Sequence, residues 1–303
     1  MRDYYTVRRV SSAAFVSLLL VLGACDAGNP DSSDADRAAA KENVDAMSRE
    51  HANDTTDPSP AALEQPQRPV HAETLPYAEV NEELAYGHFA APSDMVEPLP
   101  AVILIHEWWG LNDNIRAVAN RLAAEGYMVL AVDLYSGQLA TQASEARNLM
   151  LEVVESPAVA EENLRQAIDF VSEFASAPKV GVVGWCFGGG WSLNTAMLFP
   201  EDIDASVIYY GQVTNDEDKL RAIESPVLGL FAADDRGIRV ESVHEFDDAM
   251  RRLRKDYSIE IYEDVGHAFA NPTGNNYNAE AAEDAWQRTL AFFAEHLGGH
   301  QSE

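Results

Sequence analysis

The string GWCFGGG, residues 184–190, sets Cys186 between Gly184 and Gly188, after the apolar run KVGVV and before the helix-like WSLNTAMLF. Glycines two residues to either side of a cysteine suit a strand-to-helix turn too tight for Cβ atoms. This is the G-x-S-x-G nucleophile elbow with sulfur in place of oxygen. At such a turn the sulfur meets the N–H groups and positive dipole end of the following helix, which favour a thiolate. A buried, unreactive cysteine beside a structural glycine turn would produce the same string. The two readings separate on whether the chain also supplies an orienting acid and then a base, in that order after the nucleophile.

Both are present. GLFAADDRGI places Asp234 and Asp235 just beyond an apolar run, and IYEDVGHAF places His267 in the loop after the next one. Either aspartate could orient the histidine. His244, His296 and His300 fall on or past helices, where a solvated role is expected. A further acid, Glu107 in ILIHEWWG, directly follows a strand, so its carboxylate would face the elbow. As a surface acid it would instead leave Trp108 and Trp109 as packing residues. The string is not the zinc-protease H-E-x-x-H, because Gly110 stands at the second histidine position. FGGGW lacks the Lys-Ser/Thr of a phosphate loop and no Cys/His set has metal spacing, so neither cofactor nor metal is expected.

These residues need a scaffold that gathers strand ends. From about residue 75 the runs ELAYGHFAAP, PAVILI, YMVLAVD, VGVVGW, ASVIYYG, PVLGLFA and SIEIYED read as strands alternating with helical segments. In the first helix Ile115, Val118, Ala119, Leu122 and Ala123 share a face and Gly126 marks the end. The last helix, Ala279 to Leu297, has Trp286, Leu290, Phe293 and Leu297 on one stripe. Strands apolar nearly throughout imply helices on both faces, and the alternation implies a doubly wound, mainly parallel α/β sheet. Ligands collect at the carboxyl ends of such strands.

Ahead of that domain, MRDYYTVRR is basic, VSSAAFVSLLLVLGA is apolar and LGAC puts small residues before Cys25, resembling a lipoprotein signal with Cys25 lipidated. The implied division is a signal peptide over 1–24, a lipidated Cys25 with a disordered acidic tether to residue 74, a domain over 75–298 and a tail over 299–303. The chain would be exported and held on a bacterial membrane, facing the periplasm or exterior. The sequence has two cysteines, so lipidation of Cys25 would leave Cys186 a lone thiol. A formal charge of −29 argues against nucleic acid as a partner. Oligomeric state is left open, with a monomer as the default.

HEWWGLND, GYMVLAVDLY, GVVGWCFGGG, VIYYG, the Asp before RGI and GHAFAN, in this order over about residues 75–297, resemble the dienelactone hydrolase family. The resemblance implies an α/β-hydrolase fold and a triad of Cys186, Asp235 and His267, with Asp235 chosen because the family's acid stands three residues before a Val or Ile, here Ile238. It matches Glu107 to the family's glutamate beside the nucleophile, and the backbone N–H groups of Phe187 and Trp108 to its oxyanion hole. A Glu⁻ near the thiol would keep it protonated until substrate arrives. The expected reaction is hydrolysis of a small-molecule ester or lactone through a thioester acyl-enzyme. An acyltransferase or peptidase on the same triad, or a lipid-anchored binding module, are the alternatives. Where the family binds anionic dienelactone with two arginines this chain has Gly137 and Asn271, so a pocket of Trp109, Tyr135, Tyr210 and Phe269 is expected to take a neutral or aromatic acyl group.

Overall fold

In the computed structural model of the chain, residues 30–298 other than 53, 55, 65 and 67 are described, so the expected signal segment, Cys25 and tail lie outside the described residues. In chain order come α1 (Pro30–Glu50), α2 (Pro60–Leu63), β1 (Val70–Val80), β2 (Glu83–Pro92), β3 (Ala101–Ile105), α3 (Asp113–Ala124), β4 (Met128–Val132), α4 (Ala143–Glu155) and α5 (Pro157–Asp169). Then follow β5 (Val180–Trp185), α6 (Phe187–Leu198), β6 (Ala205–Tyr209), α7 (Glu217–Leu220), β7 (Val227–Ala232), α8 (Val240–Leu253), β8 (Tyr257–Tyr262) and α9 (Ala279–His296).

The strands form one eight-stranded sheet in the order β1-β2-β4-β3-β5-β6-β7-β8. β1 and β2 pair antiparallel, β2 pairs antiparallel with β4, and the rest is parallel. The seven expected strands are β2 through β8. Every residue of β3, β4, β5, β6 and β7 is buried, which is why these runs are apolar without alternation. On α3, Ile115, Ala119, Leu122 and Ala123 are buried as the stripe requires, and Gly126 follows the helix with φ +102°. α6, apolar on all sides, sits against β5 and β6 in the middle of the molecule.

Two expectations fail at the N-terminal side. β1 is an edge strand whose exposed His71, Ala72, Glu73 and Thr74 hide the period that marks a half-buried strand, and its pairing of Val70 with Pro92 starts the sheet before residue 75. The stretch expected as a disordered tether contains α1, a 21-residue helix packed on α4. Its mean composition is too polar for a core, but burial depends on a stripe rather than a mean. Val44 and Met47 are fully covered, and the ion pairs Lys41–Glu155 at 2.9 Å and Arg147–Asp45 at 2.7 Å flank them.

Candidate active site

The elbow forms because its neighbours have no side chains. A Cβ on Gly184 would lie 2.0 Å from the Gly188 carbonyl oxygen, and one on Gly188 would lie 2.3 Å from that of Ile105. Cys186, at the junction of β5 and α6, adopts φ +55°, ψ −116°. This backbone costs a non-glycine residue about 1–3 kcal/mol and is kept where the surroundings over-determine it. The Cys186 N–H donates to the Tyr209 carbonyl at 3.0 Å, tying the turn to β6. Phe187 is the first residue of α6, so its N–H has no partner from a preceding helical turn.

The tertiary structure chooses between the two aspartates. Asp234 is exposed, whereas buried Asp235 accepts from His267 Nδ1 at 2.6 Å through Oδ2. Its other oxygen accepts the N–H groups of Gly237 and Ile238 at 2.8 and 2.7 Å, which fixes the carboxylate plane. Ring nitrogens of His267 and His51 and the Cys186 sulfur all lie within 4.8 Å of one another. Glu107 is buried beside them, with Oε2 accepting from Asn271 Nδ2 at 2.8 Å and Oε1 unpartnered, so it makes no hydrogen bond to the thiol. Asn271 therefore occupies a place expected to hold a substrate-binding arginine by serving Glu107 instead. His106 is held neutral by burial, its Nδ1 donating to the Glu107 carbonyl at 2.6 Å and its Nε2 accepting from Leu134 N–H at 3.1 Å.

What sequence reasoning missed is the N-terminal contribution. Directly after α1, His51 is 2 % exposed and points Nε2 at the Cys186 sulfur, 3.9 Å away. Its Nδ1 donates to Asp54 at 2.7 Å, and Asp54 in turn accepts from the backbone N–H and Nδ2 of Asn275 at 3.0 and 2.8 Å. Met47 Sδ lies 3.7 Å from the same sulfur. Trp108, Trp109 and His267 surround the His51 ring at centroid distances of 4.9, 6.0 and 5.1 Å. The signal was available: Val44, Met47 and His51 recur at helical spacing in an otherwise polar stretch.

These neighbours set the protonation states. Burial opposes ionisation of Cys186, but the nearby His267 charge, with His51 behind it, brings its pKa down to about 6. Burial opposes a charged His51 too, yet Asp54 and then Cys186 raise it to about 9. His267 is raised well above its ordinary value, with Asp235 and Cys186 overcoming burial. Burial, then the Cys186 charge, pushes Glu107 up to about 8. These directions run against the expectation of an ionised Glu107 beside a protonated thiol: the Glu107 carboxyl is shifted toward its neutral form and the Cys186 thiol toward thiolate.

None of the expected pocket residues lines the cavity that reaches Cys186. Trp109, Tyr135, Tyr210 and Phe269 are buried, with Tyr135 against His106 and Phe187, and Tyr210 against His267 and Phe269. Met47 and His51, the N-terminal arm of the site, pack on Cys186 and His51 also packs on the Trp108 and Trp109 rings, while a cavity of about 780 Å³ reaches Cys186 between α1, α4, α6 and α8. Met47, Met150, Val153, Trp191 and Ile238 line it. A cavity of about 880 Å³ beside α3 and α9 does not reach the cysteine. Buried polar atoms without a protein partner gather at the site: Glu107 Oε1, the Trp108 and Trp109 indole nitrogens, the Tyr135 and Tyr210 hydroxyls and His267 Nε2. Burial raises both tyrosines well above their usual range, so they stay O–H donors. His51, Cys186 and His267 could together hold a soft metal ion, a grouping that sequence spacing does not reveal.

Residues 86–297 match the dienelactone hydrolase family. A carboxymethylenebutenolidase-like protein of Escherichia coli (strain K12) is 31 % identical over 235 residues, covering 71 % of this chain and 84 % of that one. Protein usf of Aquifex pyrophilus is 35 % identical over 205 residues, covering 65 % and 89 %. Among solved structures, a dienelactone hydrolase-type protein of Klebsiella pneumoniae superposes with a TM-score of 0.67 at 28 % identity, over 75 % of this chain and all 100 % of that one. A dienelactone hydrolase-like promiscuous phosphotriesterase from metagenomic libraries gives 0.69 at 24 % identity, over 76 % and 99 %, a likeness of fold. With the elbow, the mainly parallel sheet and the match over most of its length, the chain belongs to the dienelactone hydrolase family.

Proposed function

We propose that this protein hydrolyses carboxylic ester or lactone bonds with Cys186 as nucleophile. The observation that carries the reading is a strained cysteine elbow beside a buried histidine whose Nδ1 is held by Asp235 at 2.6 Å. The thiol proton passes to His267, and the thiolate attacks the acyl carbon to form a C–S bond while the carbonyl π electrons move to oxygen. The N–H groups of Phe187 and Trp108 receive that oxyanion, each donor worth roughly 100-fold or more in rate. Collapse expels the alcohol, and water releases the acyl group from sulfur.

The cavity supports a neutral acyl group. Glu161, Asp218 and Glu245 line it against one lysine, Lys219, so an anionic substrate meets unfavourable charge. The absence of arginine at Gly137 and Asn271 acts in the same direction. Export with Cys25 lipidated is also proposed, on LGAC; incorporation of labelled fatty acid that disappears in Cys25→Ala tests it.

The test is hydrolysis of p-nitrophenyl acetate by the full chain and by Cys186→Ala. Loss of about 10⁴-fold or more supports the cysteine mechanism, as for other triads that act as a unit. Equal rates overturn it. Among substrates, kcat/KM for neutral esters should exceed that for cis- or trans-dienelactone, and the reverse order removes the neutral-substrate reading.

A further inference from the structure

The molecule holds two histidine–carboxylate pairs aimed at one sulfur. His267 is oriented by Asp235 at 2.6 Å and His51 by Asp54 at 2.7 Å, so each ring has Nδ1 engaged and Nε2 free to work. A single pair is enough to make a thiolate. The second is buried, ordered by Asn275, and brought from 135 residues away in the chain to 3.9 Å from Cys186 Sγ. Burying an imidazole and a carboxylate next to each other without a task is costly, since both lose water.

We propose that His51, oriented by Asp54, is a catalytic residue that gives its Nε2 proton to the departing alcohol. This rests on Cys186 being the nucleophile. With the thiolate paired to protonated His267, attack forms the C–S bond; collapse of the oxyanion re-forms C=O and breaks C–O, and the leaving oxygen takes the proton of His51. Neutral His51 then removes a proton from the attacking water. The new C–O bond forms, the C–S electrons return to Cys186 as thiolate, and the carboxylic acid product sheds its proton to solvent. His51 ends protonated, as it began, and His267 stays beside the thiolate throughout. The arm thereby becomes part of the active site, and a chain begun at residue 75 would lack a catalytic group.

Leaving-group dependence tests this in the full chain. A good leaving group needs no proton, whereas a poor one does, and a positioned acid supplies about 10²–10⁴-fold. Along acetate esters from p-nitrophenyl through phenyl to ethyl, His51→Gln should lower kcat/KM about 100-fold more at the ethyl end than at the p-nitrophenyl end. Asp54→Asn, which leaves the imidazole in place, should steepen the same series by a smaller factor, and it carries the test if His51→Gln does not fold. Asp54, Cys186, His267 and Glu107 all face His51, so the wild-type kcat/KM for phenyl acetate should fall above about pH 9 and this limb should move in His51→Gln. Parallel losses along the series, or none, overturn the proposal. A gain in activity also overturns it and marks the arm as a plug. Failure of the cysteine reading is separate, because Cys186→Ala would then retain activity.

Discussion

Cys186 is held from two sides by regions built on different physics. On one side stand β5, α6 and their neighbours, where every residue of the five central strands is buried and the elbow glycines touch backbone. On the other stands α1, whose buried side chains among those described are Val44 and Met47, followed by buried His51. The sheet cannot move without losing the fold, whereas the arm rests on a narrow stripe and a few ion pairs. Regions with few buried apolar contacts open at lower free energy than the core. The site thus combines a cysteine fixed by the core with an imidazole fixed only while the arm is docked.

The sharpest contrast comes from substituting each side. Gly188→Ala forces a Cβ to 2.3 Å from the Ile105 oxygen and 2.5 Å from that of His106, and should cost about 4 kcal/mol or more, read as loss of the cooperative thermal transition. A stable, active Gly188→Ala would break the comparison. Val44→Asp buries a carboxylate under α1, 0 % exposed in the native chain, and should cost arm docking about 3 kcal/mol. Hydrogen exchange should then quicken over residues 41–51 while β3 to β7 keep their protection, and activity should fall toward that of His51→Gln.

A smaller effect follows from pH. The His51 pKa is raised from 6.5 to about 9 in the folded chain, so its contribution to docking is complete below about 6.5 and lost as pH rises through about 9. Cys186 is lowered from 9.0 to about 6, first by His267 and only then by His51, so its contribution, complete above about 9 and lost as pH falls through about 6, belongs mainly to the sheet domain. Resistance of the arm to limited proteolysis should therefore fall as pH rises through about 9, and resistance unchanged across that range would count against the His51 ion pairs. Smallest of all, Arg147→Ala removes a half-exposed ion pair to Asp45 and should shift arm stability by about 0.2–1 kcal/mol in low salt, less in high salt.

Legibility in the sequence followed the same division. Seven strands could be read because continuous apolar runs between helical segments have few other interpretations, and the elbow because its glycines act within five residues of each other. β1 was hidden by its exposed polar face, and α1 by a composition whose average conceals Val44 and Met47. The residues alone left Asp234 and Asp235 open and the family resemblance selected Asp235; in the structure Asp235 is buried 2.6 Å from His267 Nδ1 and Asp234 is exposed. Trp109, Tyr135, Tyr210 and Phe269, expected as a substrate pocket, are buried near the site but do not line the cavity that reaches Cys186, whose walls come from α1, α4, α6 and α8.

The sequence by itself determined the α/β alternation, the cysteine elbow and the chain order of Cys186, Asp235 and His267, because each depends on near neighbours or on chain order. Only the tertiary structure decided that a second histidine pair meets the sulfur and that Glu107 takes Asn271 rather than the thiol as its hydrogen-bond partner. Those outcomes depend on burial and on distances of a few ångströms between residues more than a hundred positions apart, as His51 and Cys186 are. No local pattern encodes such a distance; it exists once the arm has docked on the sheet domain.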